Sequence, residues 1–296
     1  MYNPRAGKFG RDPGLVGRAA DTLRNAGHTV TVAPTTGPRT AGTIARQHVE
    51  RGADLIVAAG GDGTINETAE GMMHSPVPLA ILPGGTANVL AMEMKIGKKL
   101  EEAAHRLSAW RPRRISVGHV TCDRGQVSRH FLLMAGIGLD AQIVYYVNAA
   151  LKARAGKFAY WVAGWKLLGR RLAEFEVETA GQKRTCSFAL LAKVKNYGGD
   201  FEIAREVTLF DDRFEAVLFE GGTTLPYVKY FVGMATNRLS RMKGVCVLRP
   251  DCLRVSHPAE RRVFVQIDGE FAGHLPAEFR IVPDALTLLV PPEYVA

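Results

Sequence analysis

The chain has 296 residues, 47% hydrophobic and 23% charged, with a formal net charge of +9. That length can bury two ordinary domains, and the composition is globular rather than disordered or fibrous. There is no apolar run of the ~18 residues that a membrane-spanning helix needs, and the first residues do not read as a secretory leader.

The positive charge suits an anionic partner: nucleotide, nucleic acid or an acidic lipid surface. It recurs in clusters, at Lys95–Lys99, Arg111–Arg114, Lys152–Lys157, Lys166–Arg171 and Arg238–Lys243. The four cysteines, Cys122, Cys186, Cys246 and Cys252, form no C-x-x-C and no zinc spacing. They read as reduced thiols of a cytoplasmic protein. The histidines form no H-E-x-x-H and no paired spacing, so they carry no metal expectation.

Residues 1 to about 110 alternate strand and helix signals. Asn3-Pro4-Arg5-Ala6-Gly7 reads as a loop leaving a first strand of which only Met1 and Tyr2 are present, so the expected native start lies a few residues earlier. Helices fit Leu15–Asn25 and Arg39–Arg51, ended by Gly27 and Gly52, with a strand at His28–Val32 between them. The apolar runs Leu55–Ala59 and Leu79–Leu82 read as buried strands, and a helix fits Leu100–Trp110. This order predicts a three-layer α/β domain with a parallel sheet over residues 1–113. Arg111-Pro112-Arg113-Arg114 reads as a linker.

From Ile115 onward short strands dominate: Ser116–Cys122, His130–Met134, Phe175–Thr179, Thr185–Val194, Glu215–Glu220, Val245–Leu248, Leu253–His257, Val263–Ile267, Glu278–Val282 and Leu286–Val290. They predict a mainly antiparallel β-sandwich over residues 114–296, with the extreme C-terminus free to pack back on the first domain. One helical stretch, Ala141–Leu172, interrupts them.

Each apolar run of the first domain ends in a glycine turn. The first turn is Gly60-Gly61-Asp62-Gly63-Thr64, leading to Asn66 and Glu67; the second is Pro83-Gly84-Gly85-Thr86-Ala87-Asn88. In parallel α/β sheets ligands bind at such strand ends. Glycine lets a phosphate approach backbone N–H groups, helix N-termini favour anions, and an acid among the glycines can meet a metal carried by that phosphate. Both turns lack the G-x-x-x-x-G-K-[ST] order of a P-loop, and Gly7-Lys8, Gly97-Lys98 and Gly156-Lys157 lack the earlier glycine. Gly136-Ile137-Gly138-Leu139-Asp140-Ala141 satisfies G-x-G-x-x-A, but no acid follows about twenty residues on, so it reads as a turn.

Together these motifs resemble the diacylglycerol-kinase-type catalytic domain, the family of bacterial lipid kinases related to sphingosine and ceramide kinases. The resemblance continues through Asn196–Ala204, Leu209–Phe214 and Ile267-Asp268-Gly269-Glu270, spanning residues 3 to about 290. It implies the fold of NAD kinases and phosphofructokinases in the first domain. It implies ATP bound by Asn3, Pro4, Arg5, Ala6, Gly7, Thr35, Gly60, Gly61, Asp62, Gly63, Thr64, Asn66, Glu67, Gly85, Thr86 and Asn88. Asp62 would meet the catalytic Mg²⁺, Glu270 would be the general base, and Asp268 would assist it. A structural Mg²⁺ would sit on the Asp212 carboxylate and the carbonyls of Leu209 and Phe214. The chain departs from the family at Arg213, usually glycine, and at Val89, often aspartate. At the Asp212 segment an acidic β-turn stays open as the other reading.

The implied activity is transfer of the ATP γ-phosphate to a lipid hydroxyl, diacylglycerol or a related lipid. The alternatives are an NAD kinase, which shares a Gly-Gly-Asp-Gly turn, and a catalytically silent nucleotide or lipid sensor. No nucleic-acid-reading motif is present. Tyr145, Tyr146, Phe158, Tyr160, Trp161 and Trp165, interleaved with Lys152, Arg154, Lys157, Lys166, Arg170 and Arg171, suit peripheral docking at the anionic inner face of a membrane. Edge strands of the second domain offer surfaces for a homodimer.

Overall fold

The computed structural model describes residues 1–146, 171–197, 201–223, 229–230, 233, 238–257 and 262–294. It divides into two compact units, Met1–Val117 with Pro283–Ala296, and Gly118–Val282.

In the first unit the glycine-stopped helices form as expected. They are α2 (Leu15–Asn25) and α3 (Ala41–Glu50), after a short α1 (Gly7–Arg11). Gly27 and Gly52 lie just past α2 and α3 at φ 91° and 88°, the left-handed stop that glycine supplies without strain. Strand β1 (Ile56–Gly60) leads into α4 (Asp62–Glu70), and β2 (Leu79–Pro83) leads into α5 (Val89–Glu93). These strands pair in parallel with Gly60 opposite Pro83, so both glycine turns leave the same sheet edge. Helix α6 (Leu100–Arg106) packs on α2, and α3 packs on α4.

The expected strand at His28–Val32 does not form. Its segment joins the sheet only where Tyr2 bridges Pro34 on one side and Ala59 on the other. With a single bridging residue as its neighbour there is no ladder to extend, and Val32 stays 40% exposed. Arg111–Arg114 is not a linker but the start of β3 (Arg111–Cys122). Arg114 anchors it, donating to Ser75 O and to Thr287 Oγ1, each at 3.0 Å, and to Asp284 O.

The second unit is an antiparallel sandwich. Strands β4 (Val127–Phe131) and β5 (Met134–Gly138) replace the single strand expected at His130–Met134, with a bend at Leu132-Leu133. Helix α7 (Leu139–Tyr146) follows and lies against the sheet. The rest of the helical expectation, residues 147–170 with most of the aromatic and basic residues of the docking stretch, lies outside the described residues. The run at Thr185–Val194 divides at Ser187 into β7 (Gln182–Cys186) and β8 (Phe188–Ala192), after β6 (Phe175–Thr179). A two-residue pair, β9 (Asn196–Tyr197) and β10 (Phe201–Glu202), precedes β11 (Glu215–Phe219), β12 (Val245–Leu248) and β13 (Cys252–Ser256). Then come β14 (Phe264–Ile267), β15 (Glu270–His274) and β16 (Ala277–Val290). Strand β15 is not among the expected strands, and β16 merges two expected strands.

One sheet of the sandwich runs β12-β11-β8-β5-β14-β15. Facing residues such as Ile137, Leu191, Leu218 and Ile267 from it, and Phe131, Val177, Val255 and Phe279 from the other layer, form one buried core. Alternate residues of each strand point inward, as a two-layer β structure requires.

The last residues of β16 return to the first unit, where Leu288 pairs in parallel with Leu79. Tyr294 is buried there and its hydroxyl donates to Glu93 Oε1 at 3.1 Å. A hydrogen bond to a buried carboxylate is worth about 2 kcal/mol. Tyr294→Phe should lower the unfolding free energy by about that much in urea titration.

Candidate active site

The nucleotide-side residues of the first unit gather around the two glycine turns. The turns pack back to back: a Cβ on Gly85 would sit 2.4 Å from Gly61 Cα, and one on Gly60 would sit 2.7 Å from Thr64 Cβ. The N–H groups of Gly84 and Gly85 both donate to Gly60 O, at 2.8 and 3.1 Å. Asn88, at φ 49°, closes the second turn from both sides. Its Oδ1 accepts from Gly85 N and its Nδ2 donates to Gly85 O, each at 2.8 Å. Asparagine is among the few residues that take this left-handed backbone readily.

Gly61 caps α4 in extended backbone, and the first intrahelical bond runs from Ile65 N to Gly61 O at 3.1 Å. The N–H groups of Asp62, Gly63 and Thr64 therefore have no carbonyl within the helix to meet, which makes this end favourable for an anion. Asp62 is half-buried, and its Oδ1 accepts from Leu90 N at 3.3 Å in the first turn of α5. Burial pushes its carboxyl above the ordinary range, against the pull of the Val89 and Leu90 N–H groups. The donor set is one carboxylate beside helix-start N–H groups. That fits a Mg²⁺ that keeps most of its waters and arrives with phosphates, rather than an all-protein cage.

The remaining predicted nucleotide residues divide into braces and open positions. Asn3 Oδ1 accepts from Arg5 N at 3.0 Å, and Asn3 O accepts from Ala6 N at 3.0 Å, which tightens the Asn3–Gly7 loop. Pro4, Arg5, Gly7 and Thr86 are exposed. Thr35 N donates to Tyr2 O at 2.8 Å. Thr64 and Asn66 are buried. Glu67 braces the loop before α3: its carboxylate accepts from Arg39 N at 3.0 Å and Ala41 N at 3.3 Å.

Sequence reasoning missed Lys8, which it met only as part of a failed P-loop. Lys8 Nζ donates to Pro83 O at 3.1 Å and to Lys98 O, so its cation sits at the entry to the second turn. Burial lowers its pKa.

In the second unit, Asp268 and Gly269 form the two-residue turn between β14 and β15, with φ of 48° and 78°. Positive φ at both positions suits a tight β-hairpin, and Asp-Gly is a favoured sequence for it. The Asp268 carboxylate is engaged by backbone. Oδ2 accepts from Leu132 N at 2.9 Å, and Oδ1 accepts from Leu133 N at 2.9 Å and Met134 N at 3.0 Å. Asp268 N in turn donates to Met134 O at 2.9 Å. This aspartate is what bends the chain from β4 into β5.

Glu270 opens β15 and is half-exposed, with Oε2 3.2 Å from Arg129 Nη2 on β4. Arg129 was not singled out from sequence, because only the fold brings β4 beside the hairpin. The β14–β15 ladder then steps over Ala272, a one-residue bulge that leaves Glu270 and Phe271 both outward while Ala272 and Gly273 are buried.

The Leu209–Phe214 segment is a loop. Leu209 and Phe214 are buried, and Asp212 and Arg213 are exposed. Asp211 organises it: Oδ2 accepts from Thr208 N at 2.6 Å and Thr208 Oγ1 at 2.8 Å, and Oδ1 pairs with Arg249 at 3.2 Å. Lys193, fully buried, donates from Nζ to Asp211 O. Burial pushes its pKa down to about 8, opposed by Asp211 and Asp212.

An α/β unit with paired glycine turns, joined to an antiparallel sandwich bearing an Asp-Gly-Glu hairpin, is the plan of a lipid kinase. The family model described as "Diacylglycerol kinase catalytic domain" matches residues 1–120, and the one described as "YegS C-terminal NAD kinase beta sandwich-like domain" matches residues 134–290. The chain belongs to the diacylglycerol kinase family. A diacylglycerol kinase of Bacillus subtilis (strain 168) is 27% identical over 94% of this chain and 91% of its own length. One from Staphylococcus haemolyticus is 25% identical, over 94% and 83%. A crystal structure of a diacylglycerol kinase from Bacillus anthracis str. Sterne superposes with a TM-score of 0.76 at 20% identity, covering 99% of this chain and 96% of that one.

Removing the Asp268 carboxylate would strand three backbone N–H groups at the β4–β5 bend. Asp268→Ala should cost about 3 kcal/mol of unfolding free energy. Equilibrium denaturation without nucleotide or lipid checks it, because the loss there is independent of turnover.

Proposed function

We propose that the protein transfers the γ-phosphate of ATP to the hydroxyl of diacylglycerol or a closely related lipid. The observation that carries this reading is the pair of interlocked glycine turns at the ends of adjacent parallel strands, with Asp62 at the start of α4. Family membership supports the lipid as acceptor over the nicotinamide nucleotide of an NAD kinase.

In this reading the N–H groups of Gly61, Gly63 and Thr64 donate to phosphate oxygens, while Asn3 and Asn88 keep the loops rigid. Mg²⁺, when bound through Asp62, would offset negative charge on the phosphates. Glu270 accepts the proton of the lipid hydroxyl as its oxygen bonds to the γ-phosphorus. The bond from that phosphorus to the β–γ bridging oxygen breaks, and ADP leaves with its electron pair. Arg129 is a positioning residue: its guanidinium holds the half-exposed Glu270 in one orientation. Asp268 acts through the backbone, fixing the bend that β4 makes behind the hairpin.

Glu270→Gln should lower kcat by about 100-fold or more while ATP affinity is unchanged. Arg129→Met should lower kcat about 10-fold with little change in lipid KM, and Arg129→Lys should recover part of it. Steady-state kinetics with lipid in mixed micelles, beside ATP binding by calorimetry, separates these effects. Full activity in Glu270→Gln would remove it as the base.

The aromatic and basic composition of residues 143–172 supports docking on an anionic membrane surface. Replacing Arg154, Lys157 and Arg170 together by Gln should reduce sedimentation with phosphatidylglycerol vesicles at low salt. Neutral phosphatidylcholine vesicles should show no such difference.

A further inference from the structure

The Leu209–Phe214 loop is where the family resemblance implies a structural divalent cation, yet basic side chains already engage it. Lys193 is fully buried on the strand-end segment after β8, and its ammonium donates to the carbonyl of Asp211, in the middle of the loop. It is attracted by both Asp211 and Asp212. Arg249 binds the Asp211 carboxylate at 3.2 Å, and its other arm pairs with Glu206 at 3.6 Å. Arg213 adds a further cation on the exposed side. A divalent ion here would enter a loop whose Asp211 is already held on its carboxylate by Arg249 and on its carbonyl by Lys193, with Arg213 beside Asp212. The backbone agrees: Arg213 is not among the residues at positive φ, so the loop does not require the glycine usual in the family at that position.

We infer that the Lys193 ammonium, supported by Arg249, replaces the structural metal in this chain, and that the loop folds without a divalent cation. A lysine can serve because the loop presents carbonyls and carboxylates, and an ammonium with three donors satisfies such oxygens as a hard cation does. The carbonyl and the two aspartates offset part of the cost of burying it. The inference concerns folding of the second unit, so it stands or falls separately from the kinase reading.

The test is thermal unfolding of nucleotide-free protein, with EDTA or with millimolar MgCl₂, together with metal analysis after gel filtration. The wild type should show the same midpoint in both buffers and retain no stoichiometric divalent metal. Lys193→Met, which keeps the length and removes the charge, should melt lower in EDTA and regain about 3 °C or more with Mg²⁺. Asp212→Asn in the Lys193→Met background should abolish that gain. A wild-type midpoint that falls in EDTA, with the fall lost in Asp212→Asn, would overturn the inference. So would a folded Lys193→Met protein indifferent to Mg²⁺. Should Lys193→Met not fold, the wild-type and Asp212→Asn comparison decides alone.

Discussion

The contact between Gly61 and Gly85 is the constraint from which the arrangement of the first unit's two glycine turns follows. Two turns leave adjacent parallel strands at the same level and must share space that admits no side chain, since a Cβ on Gly85 would fall 2.4 Å from Gly61 Cα. Because they interlock, Gly60 O can take both Gly84 N and Gly85 N, and Asp62 is carried to the start of α5. The glycines thus have two jobs. They leave backbone N–H groups accessible at the helix start, and they set the spacing across which the Asp62 carboxylate of α4 reaches Leu90 N of α5. The second job alone explains why both turns need glycine, and the first gives the interlocked pair a use.

The second unit solves the same problem with charge rather than with absence of bulk. Asp268 sits in a two-residue turn, yet its carboxylate gathers three N–H groups from the Leu132–Met134 bend. The hairpin that carries Glu270 is thereby tied to the β4–β5 corner, and β4 carries Arg129. One aspartate therefore sets the relation between the proposed base and its positioning cation. A carboxylate acting through backbone positions is stiffer than one acting through another side chain, because the groups it holds have no rotamers to lose.

Where local chemistry dictates structure, the sequence was readable. Gly27 and Gly52 stop their helices as read, and the runs at Ile56 and Leu79 are the parallel strands. The two-part class, α/β followed by an antiparallel sandwich, followed from the change in texture near Ile115. What failed depended on neighbours. His28–Val32 has the composition of a strand but finds only Tyr2 to bridge. Arg111–Arg114 looks like a linker because its exposed arginines conceal the start of β3, which Arg114 ties to oxygens of distant residues. The residues of the site were legible as motifs, but not the division of labour among them. Glu67 and Asp268 look like ligands in sequence, and in the structure both spend their oxygens on backbone N–H groups. Arg129 and Lys8 carry no motif at all, since their partners lie 141 and 75 residues away.

Lys8 and Lys193 show one device at two motif loops. Each offers an ammonium to a backbone carbonyl, the half-buried Lys8 to Pro83 O at the second glycine turn and the fully buried Lys193 to Asp211 O in the acidic loop. In both cases burial lowers the pKa. The difference lies in the surroundings. Lys193 has two aspartates near it, so its charge is balanced within the protein and its position is structural. Lys8 has carbonyls, of Pro83 and Lys98, and no carboxylate among its hydrogen-bond partners. The same side chain therefore braces an acidic loop in one place and a glycine turn in the other, and the charge of its neighbours sets how far each is offset.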